Sequence, residues 1–187
     1  MDSSNFNILC WNVRGLNAGA RRASVRDMVV SSRSSIVCLQ ETKLSDFDAY
    51  TVAQCLGSAL DGFAFLPAHG TRGGVLMAWD TSMFHASAID IRDFSVSVQL
   101  SRASSQPFWV SSVYVLQEDA DKLRFLEEIR TICSSADGPW LPTGDFNLIL
   151  NAEDKNNQNL NRRMMGKFRR VVNDLLLQDR SCFYVDE

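Results

Sequence analysis

Asp145 and Asn147 stand two residues apart in the stretch GPWLPTGDFNLIL, at the C-terminal end of an apolar run. Asn12 in CWNVRG, Glu41 in CLQET and Tyr114 in SSVYV interrupt apolar runs in the same way. Any one of these is commonly a turn former or cap. Together they fall at or near the ends of buried strands, and strand C-termini converge on one edge of a sheet, where ligands bind. The chemistry that fits them is phosphodiester hydrolysis. Glu41 offers a hard carboxylate oxygen suited to Mg²⁺, which takes few protein ligands and keeps its other positions for water and phosphate. Asn12 can orient that carboxylate or a water held by the metal. Asp145 can orient or deprotonate an attacking water, and Asn147 can donate its amide to the phosphate or to the same water. Tyr114 can donate its hydroxyl to a phosphoryl oxygen.

The elements that must position these groups alternate at first. FNILCW reads as a buried strand, and ARRASVRDMVVSS as a helix with Val25, Met28 and Val29 on one face. SIVCLQ is too short and too β-branched for a helix and reads as a second buried strand. Ser45 has the character of an N-cap for a helix to about Leu56, with Asp46 and Asp48 in its first turn. A run of strands follows: GFAFLPA, GGVLMAWD, FHASAIDIR, FSVSVQLS and FWVSSVYVL. In FSVSVQL the strict alternation places Phe94, Val96, Val98 and Leu100 on one face of a half-buried strand. From Glu118 to about Ser134 a helical stripe holds Leu123, Leu126, Ile129, Ile132 and Cys133. PWLPTGDFN returns to a strand, NAEDKNNQNLN is a polar loop, and a last helix runs from about Arg162 to Gln178 with Phe168, Val171, Leu175 and Leu176 inward. Strands clustered between helices favour a layered α/β sandwich. No repeat, low-complexity tract or linker marks a boundary, so the expectation is one domain over residues 1–187.

Net charge, −3 over 187 residues, does not by itself announce a nucleic-acid binder. Its distribution is more informative: residues 155–180 hold seven Lys or Arg against two acids, and Arg14 to Arg33 carries five Arg against Asp27 alone. Such segments can track phosphates, and they can equally be solvated helix faces. Arg14, Arg162 and Arg163 are the candidates for phosphate or nucleic-acid contact. The five cysteines, Cys10, Cys38, Cys55, Cys133 and Cys182, include no C-x-x-C pair, which argues for reduced thiols without a zinc site or disulfide framework. The polar start MDSSNFN lacks a signal-peptide core, and no apolar run approaches the ~18 residues of a membrane span. Nucleus or cytoplasm is the expected location, with no membrane partner.

The motifs NILCWNVRGLN, IVCLQETKL, RGGVLMAWD, VYV and GDFNLILNAEDK resemble the endonuclease/exonuclease/phosphatase superfamily. Their wording is similar to the apurinic-type endonuclease domain of plant LINE (non-LTR) retrotransposons, in family order from about Phe6 to Leu177. The resemblance implies a four-layer α/β sandwich and a Mg²⁺-dependent nuclease that nicks DNA to prime reverse transcription. It passes the family's roles to Asn12, Glu41, Tyr114, Asp145 and Asn147.

The family pattern also implies a further strand-end Asp and a Ser-Asp-His near the C-terminus, whose His contacts the scissile phosphate. Here the sequence reads RSCFYVDE after the last helix, and its two histidines, His69 and His85, both precede GDFN. Asp186 and Glu187 read as a frayed tail and not as replacement ligands. Val115-Leu116 stands where the family usually has Gly-Pro after the tyrosine. Catalytic groups that act as a unit fail together, and losing one costs on the order of 10⁴-fold in the serine-protease template. The sequence therefore predicts an incomplete sandwich lacking C-terminal strands, with catalysis abolished or very weak. The other readings are a working Mg²⁺ endonuclease, a non-catalytic remnant that binds DNA or a host protein through an exposed sheet edge, a phosphatase of the same superfamily, and a product with no selected function.

Overall fold

The computed structural model describes residues 5–70, 73–103, 105–154 and 160–175. The first strand, β1 (Asn7–Asn12), is followed by α1 (Gly19–Ser32), which returns the chain to β2 (Ser34–Gln40). β1 and β2 are parallel, with Asn12 opposite Gln40. A parallel pair needs such a crossover, and it delivers both strand C-termini to the same end of the sheet. After α2 (Ala49–Leu56), strands β3 (Gly62–Leu66) and β4 (Val75–Trp79) complete a four-stranded sheet of order β1-β2-β4-β3. The second sheet repeats the device in reverse order. Strands β5 (His85–Ile91), β6 (Ser95–Ser101) and β7 (Phe108–Tyr114) form an antiparallel meander. Helix α3 (Asp119–Ser135) then crosses over to β8 (Trp140–Asp145), parallel to β7 with Tyr114 opposite Asp145. A turn of 3₁₀ helix, Ala152–Asp154, and α4 (Arg162–Asp174) follow.

Three apolar cores separate four layers. Val25, Val29, Val52, Cys55 and Leu56 of α1 and α2 pack on Leu9, Trp11, Val37 and Leu39 of the first sheet. Cys10, Ile36, Cys38 and Met77 face Val96, Val98, Leu100 and Val110 between the sheets. Phe125, Leu126 and Ile129 of α3, with Met164, Phe168 and Val171 of α4, cover Val113 and Val115 on the far side of the second sheet. This is the layered sandwich that the motif order implied.

Local differences from the sequence reading have physical causes. Helix α2 begins at Ala49 and not beside Ser45, because the Asp48 carboxylate accepts the Thr51 N–H at 2.8 Å and caps it, whereas Asp46 accepts the N–H of Phe47. Strand β6 is buried on both faces, so its alternation does not mark a solvent side. Ser95 and Ser97 are covered, with Ser95 donating to Glu128 of α3 and Ser97 hydrogen-bonded to Ser111. Phe94 lies before that strand and packs with Phe125 in the outer core, away from Val96 and Val98. In α3 the buried stripe is Phe125, Leu126, Ile129 and Ile132, while Leu123 is exposed and Cys133 half-buried. Cys10, Cys38 and Cys55 are buried. Residues Leu176 to Gln178, Cys182, Asp186 and Glu187, on which expectations were also placed, lie outside the described residues. Among the described residues, no helix is long and apolar enough to cross a membrane.

Candidate active site

The two parallel strand pairs face each other across the central core with their C-terminal ends together, and the polar residues at those ends meet there. The Asn12 amide donates to Asp145 Oδ2 at 2.8 Å, joining the end of β1 to the end of β8 and so one sheet to the other. The carboxylate that Asn12 holds is thus Asp145; the sequence reading gives it the Glu41 carboxylate or a metal-held water. Asn12 Oδ1 accepts the N–H of Arg14 at 3.2 Å, which folds the following turn over the site. Asp145 Oδ1 accepts the N–H of Asn147 at 3.0 Å, so both carboxylate oxygens have fixed donors.

Asn147 is partly committed to structure. Its Nδ2 donates to the Val115 carbonyl at 2.6 Å, and its Oδ1 accepts from Gln117 Nε2 at 2.5 Å. Val115 is itself buried and donates its N–H to the Asp145 carbonyl, extending the β7–β8 pairing by one residue. The Val115 backbone therefore ties the GDFN turn to β7. Gly144 makes the approach possible: its φ is +130°, and a Cβ there would run into the backbone of Val113.

A second pair lies beside the first. The Tyr114 hydroxyl donates to Glu41 Oε1 at 2.7 Å, where the sequence reading gave it a phosphoryl oxygen as acceptor. Burial raises the Tyr114 phenol well above its ordinary value, reinforced by that hydrogen bond and by the charges of Glu41 and Asp145. It stays a protonated donor throughout the neutral range. Glu41 sits at the end of β2 with φ +53°. The chain beyond it is pinned by Gly73 and Gly74, whose carbonyls accept the N–H groups of Lys43 and Thr42. A Cβ at Gly73 would lie 2.9 Å from Glu41 Cα and Cγ and 3.0 Å from Tyr114 Cε1.

Arg14, Glu41, Lys43 and Asn147 are four of the six non-glycine residues with positive φ among those described. A left-handed L-residue costs roughly 1–2 kcal/mol, with Asn the best tolerated, and such strain clusters at functional sites. Here all four flank the same strand ends.

A cavity of about 500 Å³ opens at this end of the sandwich. Asn12, Arg14, Asp145 and Asn147 line it, joined by Arg21 of α1 and Lys122 of α3, with Phe146, Leu148, Met164 and Met165 as an apolar wall. Arg162 and Arg163 do not line it; both are exposed at the start of α4. His69 and His85 are not among its lining residues either.

Sequence reasoning missed Gln40, the paired glycines Gly73 and Gly74, and the cations Arg21 and Lys122. Gln40, fully buried, donates to Ser112 Oγ at 3.0 Å and to the Cys38 carbonyl at 3.2 Å, bridging the sheets beneath the site. A glutamine inside an apolar run was a legible signal for such a bridge; its partner Ser112 carried none. The paired glycines of RGGVLMAWD signalled a close backbone approach without saying to what. Arg21 and Lys122 could not be chosen from among the other cations without the fold.

The donor set is compatible with Mg²⁺. Among the described residues no three or more His, Cys, Asp and Glu side chains gather where they could enclose a metal. Mg²⁺ takes one or two carboxylates and completes its shell with water and phosphate, and Glu41 supplies a hard oxygen oriented by Tyr114.

Several solved structures share this fold. An AP endonuclease from Leishmania major, LMAP, superposes with a TM-score of 0.68 at 18% identity, covering 94% of this chain and 68% of that one. The endonuclease domain of TRAS1, a telomere-specific non-LTR retrotransposon, gives 0.64 at 14% identity, over 91% of this chain and 72% of that one. D. rerio TDP2 complexed with a single-strand DNA product gives 0.58 at 16% identity, over 81% and 64%. The chain thus spans about two thirds of the length of these structures. No curated protein matches it. The endonuclease/exonuclease/phosphatase family model matches residues 9–184, nearly the whole sequence, and the chain belongs to that family.

Proposed function

We propose that the strand-end site is a nuclease-type centre for Mg²⁺-dependent hydrolysis of DNA phosphodiesters, related to retrotransposon endonucleases and weak in turnover with the residues described. The observation that carries this reading is the Asn12–Asp145 hydrogen bond. It fixes a carboxylate across the two sheets at the mouth of a cavity whose wall also holds Arg14. Asp145, with both oxygens oriented, accepts the proton of a water aimed at phosphorus. Asn12 and the Asn147 backbone hold that carboxylate in place, and the remaining Asn147 amide hydrogen is a donor for a phosphate oxygen. Tyr114 orients Glu41, the residue that would hold Mg²⁺. When bound, the ion neutralises charge on the phosphate and on the departing oxygen. Arg14 and Lys122 add positive charge at the rim.

The reading of weak turnover rests on the cavity's residues. They include an acceptor for the water's proton but no histidine to add a contact to the scissile phosphate. The test is a supercoiled plasmid incubated with Mg²⁺ and the protein, beside Glu41→Ala, Asp145→Ala and a chelator control. Slow nicking that disappears in both variants and with chelator supports the reading; equal nicking in all three proteins refutes it. A second reading is a non-catalytic domain that binds DNA or a host protein. It draws on β1 and β8, which are outer strands of their sheets among the described residues. It requires partner binding that survives Glu41→Ala, with no nicking by any of the three proteins.

A further inference from the structure

We propose that the groove between α3 and α4 is a track for the phosphodiester backbone of a nucleic-acid strand seated in the candidate site, with Arg163, Lys167 and Arg170 as its phosphate contacts. The inference rests on the nuclease reading for what enters the site, but not on whether that site turns over.

The spacing of the three cations carries the first step. Positions 163, 167 and 170 follow i, i+4, i+7, which places them on one face of α4. Met164, Phe168 and Val171 hold the helix to the core. Other cations nearby are already engaged. Arg130 pairs with Asp174 at 2.8 Å, Arg124 pairs with Asp93 and Asp121, and Arg169 is turned to the Leu150 carbonyl and Asn151. Among the described residues, no hydrogen bond or ion pair engages the side chains of Arg163, Lys167 or Arg170.

The groove supplies the second step. It is an open depression of about 490 Å³ lined by Lys167 and Arg170, by Arg124 and Arg130, which are held in the ion pairs above, and by one carboxylate, Glu127; Arg163 stands on the same face of α4 beyond the lining residues. The same two helices line both depressions: Lys122 of α3 lines the cavity at Asp145 and Leu123 the groove, and Met164 and Met165 of α4 line the cavity two to three residues before Lys167 of the groove. From residue 163 to residue 170 the helix rises about 10 Å, the axial length of about three successive phosphates along one strand of a duplex. A membrane surface fits less well, because the apolar face of α4 is spent on the core and is not available to acyl chains.

The test is binding of a fluorescein-labelled single-stranded oligonucleotide, read by anisotropy across a salt series in EDTA so that cleavage does not intervene. The variants are Arg163→Gln, Lys167→Gln, Arg170→Gln and the double Lys167→Gln/Arg170→Gln, with Arg162→Gln as the matched cation on another face. Glutamine keeps helix propensity at these positions, and circular dichroism checks the fold. Each of the three single changes should make the salt slope shallower by about 0.7, and the double by about 1.4. Arg162→Gln should leave the slope unchanged. An unchanged slope in the double variant overturns the proposal, as does an equal change in Arg162→Gln, which would mean diffuse attraction. Absence of oligonucleotide binding overturns it too. So does the same pattern with phosphatidylserine vesicles or polyglutamate at equal strength, since either would assign the groove to another class of partner. Plasmid nicking is scored separately. Slope shifts without nicking sink only the catalytic reading; nicking with an unchanged slope sinks only the groove.

Discussion

Replacing Gly73 by alanine tests whether Glu41 is held by steric contact with the segment ahead of β4. The added Cβ would stand 2.9 Å from Glu41 Cα and Cγ and 3.0 Å from Tyr114 Cε1, closer than real Cβ atoms come. Relief by a flexible side-chain end is not open to it, because one neighbour is backbone. The Gly73 carbonyl is also fixed, at 2.6 Å from the Lys43 N–H, so neither segment can slide freely. Overpacking of this kind costs about 1–3 kcal/mol. For a chain of this size that lowers the melting temperature by roughly 2–12 °C. Gly166, in the middle of α4 with nothing within 4 Å of its would-be Cβ, is the internal control. Gly166→Ala should stabilise by about 0.5–1 kcal/mol, because alanine loses less backbone entropy in a helix. The assay is urea unfolding followed by tryptophan fluorescence, with plasmid nicking measured where both proteins are fully folded. Nicking should fall by up to roughly 10²-fold in Gly73→Ala, the cost of misplacing a catalytic group by about 1 Å. A Gly73→Ala protein within about 0.5 kcal/mol of the parent, on the same scale of overpacking costs, would refute the steric account of Glu41 placement.

Three further outcomes are expected. Tyr114→Phe removes the donor to Glu41 and should lower unfolding free energy by about 1.5 kcal/mol, the scale of a hydrogen bond to a charged group, with a loss of nicking that added Mg²⁺ partly restores. Asn12→Ala strips Asp145 Oδ2 of its donor across the sheets; urea unfolding should register about 1–2 kcal/mol and nicking should fall further than in Tyr114→Phe. Glu128 has its carboxyl raised by burial, against the hydrogen bonds from Ser95, Phe94 and Asp93 that favour the charged form. A raised folded value means the native state holds its proton longer than the unfolded chain does. The stability this gives is present below the ordinary value of 4.5 and is lost as pH rises through the folded value. Glu128→Gln should remove that slope from the acid limb of a stability–pH curve, and an unchanged limb would exclude Glu128 as its source.

The sequence by itself determined the kinds of element and the chemical groups. Short apolar runs such as SIVCLQ, rich in β-branched residues, and VLMAW, bounded by Gly-Gly, read as buried strands by length and flanks, and a polar residue at the end of such a run lies near the sheet's rim. That rule located Asn12, Glu41, Tyr114, Asp145 and Asn147, and the order of the motifs implied the layered fold. Period alone misjudged β6, because alternation reports two different faces and not which of them meets water. Serines buried by hydrogen bonds to Ser111 and Glu128 look, in sequence, like solvent-facing ones. A helix boundary likewise turned on which of two nearby aspartates reached a free N–H, a matter of a few ångströms at Asp48.

What only the tertiary structure decided is partnership. Asn12 and Asp145 are 133 positions apart, and their hydrogen bond exists because two parallel strand pairs, each closed by its own helix, stack with their C-terminal ends aligned. The same stacking gave Tyr114 to Glu41, placed Gly73 against both, and chose Arg21 and Lys122 from among the basic residues to line the cavity. It also left Arg162 and Arg163 outside that cavity. A sequence states which groups a chain carries and on which element; pairwise distances between elements follow from side-chain packing in the three cores, and no local pattern encodes them.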